Sequence, residues 1–179
     1  AVGSFDAFIL KLDKNGQYRW SHSFGGSSLD AILSVAVDAN GNVYSAGFFN
    51  SIVDFDPSSG VFSRSSSGSE DAFIHKMDSA GNFLWVKTFG SFFLDRVSSL
   101  RLDAAANIYA SGYFQGSVDF DPGSSQAIIN AVNGGRDGYV LKLDSAGNYA
   151  WVKTVGGTGL DAIDKITLEL LHEKINTKQ

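Results

Sequence analysis

The chain has 179 residues, enough for one sizeable core or two small ones, and 44% of them are hydrophobic, which excludes a disordered composition. A net charge of −5 and a pI near 5.0 argue against nucleic acid and anionic membrane surfaces as main partners. There is no cysteine, which removes disulfides, thiol nucleophiles and thiolate metal sites, and no apolar run reaches the roughly 18 residues of a membrane span.

Taken in chain order, the sequence reads as short strands separated by turn signals. No signal peptide is visible in these residues. Residue 1 already falls inside a repeat, so the expectation is a mature or excised chain. Asp6-Ala-Phe-Ile-Leu-Lys-Leu-Asp13 predicts a first strand, Asp13-Lys-Asn-Gly a turn, and the stretch around Trp20 a second strand. After Gly25-Gly26 and Leu29-Asp30, Val35 and Val37 alternate in a strand over Ser34–Asp38. Asp38-Ala-Asn-Gly-Asn42 is a tight hairpin, because Asn-Gly supplies the positive φ that such turns need. A strand over Val43–Phe49 follows, with a continuation to Phe55. A connection then runs from Asp54 to Glu70, opening on Val53-Asp-Phe-Asp-Pro57. Ala72–Met77, the turn Asp78-Ser-Ala-Gly-Asn82, and Phe83–Phe89 complete a four-strand unit, named a to d in chain order.

This unit repeats. The Asp6–Asp13 pattern returns at Asp71–Asp78 and Asp137–Asp144, at spacings of 65 and 66 residues. Trp20, Trp85 and Trp151 keep the same step, as do Leu29-Asp30, Leu94-Asp95 and Leu160-Asp161. Asn42–Phe48 recurs as Asn107–Tyr113, and Val53–Pro57 as Val118–Pro122. Four antiparallel strands cannot bury both faces alone, and stacking them radially gives a β-propeller. The expected fold is therefore all-β: a partial β-propeller with four-stranded antiparallel blades of about 65 residues. Residues 1–28 supply strands c–d of an incomplete blade, 29–93 and 94–159 complete blades, 160–169 a further strand a, and 170–179 a tail outside the repeat. Strand a is expected over Asp164–Glu169, after which no strand b follows. Leu168, Leu171 and Ile175 at helical spacing make the tail either a short amphipathic helix or a disordered, extraneous end.

These motifs, over about residues 3–168, resemble the bacterial β-propeller repeat family described as seven-bladed, in a variant with VDFDP between strands b and c. The resemblance implies a non-enzymatic binding or scaffold module of an exported, extracellular or cell-surface bacterial protein. Two complete blades and loose strands do not close a ring. The expectation is either a homo-oligomer, a dimer making about six blades, or membership in a longer propeller.

Chemistry-bearing residues are sparse. His22, His75 and His172 share no cluster with carboxylates at metal spacing, and no Gly-x-Ser-x-Gly elbow or phosphate-binding loop is present. The recurring acids Asp6, Asp71, Asp137, Asp30, Asp95, Asp161, Asp13, Asp78 and Asp144 read as turn and strand-entry caps. Asp54, Asp56, Asp119 and Asp121 form the one recurring acid pair suited to calcium, although a proline-stopped strand exit is the favoured reading of the motif. No other cofactor is implied. The a–b and c–d turns share one face, and the differing b–c and d–a connections share the other. On that second face Phe92 and Phe93 are expected to fold in part into the inter-blade core, the alternative being a contact for protein or carbohydrate. Arg64 and Arg136 are further ligand candidates there. An enzyme, a lyase or hydrolase, would need a non-repeating cluster on this face, and Arg64, Glu70, Arg96 and Arg136 are scattered over different units. A propeller fragment without its own ligand is the remaining alternative.

Overall fold

The computed structural model describes residues 5–168. Its strands are β1 (Ala7–Leu12), β2 (Tyr18–Phe24), β3 (Ala31–Val37), β4 (Val43–Asp54), β5 (Ser63–Met77), β6 (Phe83–Phe89), β7 (Arg96–Leu102), β8 (Ile108–Gln115), β9 (Ser117–Asp119), β10 (Ile128–Asn130), β11 (Arg136–Leu143) and β12 (Tyr149–Val155). They form two four-stranded sheets, β3-β4-β5-β6 and β7-β8-β11-β12, and two-stranded pairs β1–β2 and β9–β10, all antiparallel. The fold is thus all-β, a partial β-propeller-like array of four-stranded blades.

Local chemistry sets the turns. Asp13, Asp38, Asp78, Asp103 and Asp144 each accept two backbone N–H bonds from the turn they open, as at Asp78 from Ala80 and Asn82, at 2.8 and 2.9 Å. Strands β3 and β7 each carry a bulge, between Ile32 and Ser34 and between Val97 and Ser99. There the backbone comes so close to β4 and β8 that a Cβ at Gly47 or Gly112 would collide with the carbonyl of Ala31 or Arg96.

Two expectations are corrected. Residues 63–70 are not loop: they continue β5 backwards and pair with the end of β4, Ile52 with Ser65, Val53 with Arg64 and Asp54 with Ser63. Val53 and Phe55 are fully buried, and a strand that buries alternate side chains must satisfy its backbone in a ladder. The second copy does the same in two pieces, because Gly116, at φ 76°, separates β8 from β9. Residues 164–168 form no strand, although a strand a was expected there. The β3 and β7 ladders depend on β4 and β8, and among the described residues no such neighbour stands beside 164–168. The Ile163 N–H bonds Gly112 O instead, at 3.1 Å. The tail at 170–179 lies outside the described residues.

The core sits between sheets. Tyr44, Ala46, Ala72 and Ile74 pack against Leu100, Ile108, Ala110, Tyr139, Leu141 and Leu143 of the next blade. The other face of β5 puts Phe73 and Met77 among Ala7, Phe24, Ile9 and Trp20 of the β1–β2 pair. Each fully buried side chain of this size contributes on the order of 1.5–3 kcal/mol. Polar ties cross the same junctions. Lys11 Nζ donates to Gly41 O and Ser79 O, at 3.0 and 2.9 Å, and Lys76 Nζ donates to Ser145 O at 3.1 Å.

His75 is the exception in this core. It is fully buried among Phe24, Phe55 and Phe83, and neither ring nitrogen has a partner. Its repeat equivalents are Leu10 and Leu141. Burial holds its imidazole down to about 4. The unfolded chain therefore takes up the proton first, and stability is lost as pH falls from about 6.5 to about 4. His75→Leu should raise the unfolding free energy by about 1–3 kcal/mol near neutrality. It should also remove an acid-dependent loss of about 3 kcal/mol across that window. Urea titrations at several pH values check this, and an unchanged pH slope in the variant would contradict it.

Candidate functional site

The b–c extensions and d–a loops meet on one face, as strand alternation requires. The VDFDP motif forms the turn of each extension. Asp54 Oδ1 accepts the N–H groups of Asp56 (3.1 Å) and Phe62 (2.8 Å), and Asp56 Oδ1 accepts that of Ser58 (2.9 Å). Asp119 Oδ1 likewise accepts from Asp121 (3.0 Å) and Ala127 (2.8 Å), and Asp121 Oδ1 from Gly123 (2.7 Å). One oxygen of each carboxylate is thus occupied in shaping the turn, while Val53, Phe55, Val118 and Phe120 anchor it in the core. Among the described residues no three His, Cys, Asp or Glu side chains stand close enough together to hold a metal ion.

The candidate ligand residues are spread out. Phe92 and Phe93 do not enter the inter-blade core: they are 74% and 47% exposed and lie edge-to-face with each other. The reason is a backbone contact with the b–c extension. The backbone of Phe92 is held against the next-door extension through the Ser69 N–H bond to Phe92 O, and the carbonyl of Phe93 takes the Glu70 N–H, which leaves both rings outside. Arg64 lies over Phe62 at 4.1 Å, and Arg136 over Tyr113 at 4.6 Å, so both guanidinium groups stack on rings of their own blade.

Sequence reading missed two features. The first is Glu70, nearly buried, which pairs with Arg96 across the blade junction while that guanidinium lies 4.0 Å from the Phe48 ring. Nothing in the local pattern marks Glu70, because its partner belongs to the next repeat. The second is how deeply the acids before strand a are buried. Asp95 accepts N–H bonds from Ser91 (2.6 Å) and Gln115 (2.9 Å), and a hydroxyl bond from Ser91 (2.9 Å). Asp30, also buried, accepts the N–H groups of Gly26 and Asn50, and the half-buried Asp161 accepts that of Gly157. The Asp30 and Asp95 carboxylates thus tie their d–a loops to the far ends of β4 and β8. Three parallel bridges, Phe5 to Leu29, Glu70 to Leu94 and Arg136 to Leu160, repeat beside them.

The acids at the start of strand c are buried as well. Asp71 Oδ2 accepts the Ser67 N–H at 3.0 Å, and its Oδ1 has no partner. Asp137 shows the same division, with Val132 N–H on Oδ2 at 3.1 Å. Burial raises the carboxyls of Asp30 and Asp71, and pushes that of Asp95 up to about 6.

No family model matches the chain. It is 26% identical over 150 residues to the regulatory protein FlaEY of Caulobacter vibrioides, covering 82% of this chain and 15% of that protein. It is also 26% identical over 157 residues to an uncharacterized WD repeat-containing protein, L264, of Acanthamoeba polyphaga mimivirus, covering 83% of this chain and 11% of that one. The chain spans less than a sixth of the length of either relative. The second likeness agrees with the propeller-like repeat fold.

A raised carboxyl favours folding at low pH: the native state keeps its proton while the unfolded chain has lost its own. The contribution of Asp95 is present below about pH 4 and is lost as pH rises to about 6. Between those limits the stability of the wild type relative to Asp95→Asn should fall by about 2–3 kcal/mol. Denaturant titrations of both proteins over that range check it. A constant difference would contradict the assignment.

Proposed function

We propose that the chain is a non-enzymatic binding and scaffold module whose open faces are covered by further copies of the same repeat. The observation that carries this reading is a contrast between equivalent side chains. Phe8, Leu10 and Leu12 on β1 are 61%, 47% and 48% exposed, whereas Phe73, His75 and Met77 one repeat later are at most 1% exposed. Val35 on β3 is 48% exposed and its equivalent Leu100 fully buried. Such a face on an edge pair is a strong drive to association. In the complete blades the same face is covered by another blade, so a repeat unit is the surface of matching shape. The occupant comes from a second copy of this chain, which would complete a ring, or from neighbouring repeats in a longer protein.

The bacterial propeller-repeat resemblance, with its VDFDP insertion, supports placing the module in an exported or cell-surface protein. The names of the two relatives, one regulatory and one a WD-repeat protein, support interaction rather than catalysis. Phe92, Phe93, Arg64 and Arg136 sit on the differing face and are the proposed contacts for a protein or carbohydrate partner. Calcium at Asp54 with Asp56, or at Asp119 with Asp121, would use the carboxylate oxygens that the turns leave over.

Light scattering after size-exclusion chromatography tests self-assembly directly. A mass of two or more chains is expected, and a stable monomer of 19.1 kDa would overturn it.

A further inference from the structure

In the β3–β6 blade, strand b sends two aromatic side chains into the junction with the next blade. Tyr44 is fully buried in one cluster with Ile74, Leu100 and Ile108, and Trp85 and Leu102 pack against that cluster. Its ring lies 6.2 Å from that of Trp85 and 4.7 Å from Lys76 Nζ. Four residues on, Phe48 is buried against the Arg96 guanidinium. Tyr44 pairs with Lys76, and Phe48 with Ala72, along the edge of β5 opposite β6. The next blade repeats the pattern. The Tyr109 ring lies 6.1 Å from Trp151 and 4.9 Å from Lys142 Nζ, and Tyr113 follows four residues later.

On β1 and β2, Lys11, Trp20 and Ala7 are the equivalents of Lys76, Trp85 and Ala72. Among the described residues β1 pairs with β2 alone. Two cavities lie between β1 and the blade that follows. One, of about 350 Å³, has Ile9, Lys11 and Trp20 on one side and Val35, Val37 and Val43 on the other. These six answer, one repeat later, to Ile74, Lys76, Trp85, Leu100, Leu102 and Ile108, the surroundings of Tyr44. The second cavity, of about 290 Å³, is lined by Phe5, Ala7, Leu29 and Ala31 among others. Phe5 and Ala31 stand where Glu70 and Arg96 meet beside Phe48. The two cavities thus mark the places that Tyr44 and Phe48 fill at the next junction.

We infer that the free edge of β1 accepts an antiparallel strand from a partner protein, one that carries aromatic side chains at positions i and i+4. Period-two alternation puts both rings on one face, as in Tyr44-Ser-Ala-Gly-Phe48. Ring i enters the cavity beside Trp20 and the Lys11 ammonium, and ring i+4 the cavity beside Phe5 and Ala31. The residue at i+2 is small, because Ala46 and Ser111 hold that place fully buried. The partner's backbone supplies the ladder and the two cavities supply the selectivity. A second copy cannot lend such a strand without dismantling a blade, since β4 and β8 are already paired on both edges. The inference rests on the reading of the chain as a binding module and names the segment that one partner presents.

The test is an NMR titration of the whole chain with a capped peptide of residues 42–48, Asn-Val-Tyr-Ser-Ala-Gly-Phe, flanked by lysines for solubility. The Trp20 indole and the amides of Ala7 and Lys11 should shift to saturation, and the β1 amides that do not bond β2 should exchange more slowly. Alanine in place of the peptide's tyrosine, or of its phenylalanine, should weaken binding about tenfold or more. Val35→Lys, at an exposed position of the first cavity's wall, should do the same from the protein side. Val61→Lys, exposed and outside both cavities, should leave binding unchanged. The peptide variants decide the matter even if Val35→Lys does not fold. Unmoved Trp20, Ala7 and Lys11 signals would overturn the proposal. So would equal binding of a scrambled peptide with the same lysines, or p-cresol binding as tightly as the peptide, which would make the first cavity a small-molecule pocket. Native mass keeps the two readings apart: a monomer that binds the peptide sustains this inference and overturns self-assembly, and a multimer indifferent to the peptide does the reverse.

Discussion

The β3–β6 blade is apolar on both faces, and this constraint organises the molecule. In the β3–β6 sheet, Ala72 and Ile74 point to the following blade while Phe73, His75 and Met77 point to the preceding β-pair. A sheet buried on both sides cannot be stable alone. Stacking is therefore the condition under which any of the blades folds, and everything placed between blades inherits its environment from two repeats at once.

Polar groups at these junctions show the cost of that arrangement and how it is offset. Lys11 and Lys76 lie across the junction and donate to the neighbouring hairpin carbonyls, so their charge replaces water as the partner of turn backbone. Asp30 and Asp95 are desolvated, which penalises their ionised form, but each collects backbone N–H bonds that would otherwise be orphaned in the d–a crossing. Asp71 is less well served, with one oxygen bonded and one bare. His75 has no bonded partner at all, and the aromatic rings around it tolerate only the neutral imidazole. The two kinds of group act oppositely on the pH dependence of stability between about pH 4 and 6.5.

The VDFDP motif illustrates how one short segment carries two roles. Its Val and Phe are core residues, and its aspartates set a turn through bonds to N–H groups up to eight residues away. The carboxylates thereby end at fixed positions on the face that differs between blades.

The sequence by itself determined the strands, their turns and their repetition. These depend on short-range chemistry: Asn-Gly and Asp-opened turns, period-two alternation, and a 65-residue step that brings Trp20, Trp85 and Trp151 into phase. It also marked the acids as turn caps, because an aspartate two residues before an N–H needs nothing beyond its own loop. Tertiary structure alone decided which side chains are shared between repeats. The pairing of residues 63–65 with Ile52–Asp54, the Glu70–Arg96 contact, and the outward position of Phe92 and Phe93 all join residues whose separation is set by packing. Periodicity says which face of a strand is buried, but what lies against that face depends on a neighbour that the local pattern does not contain.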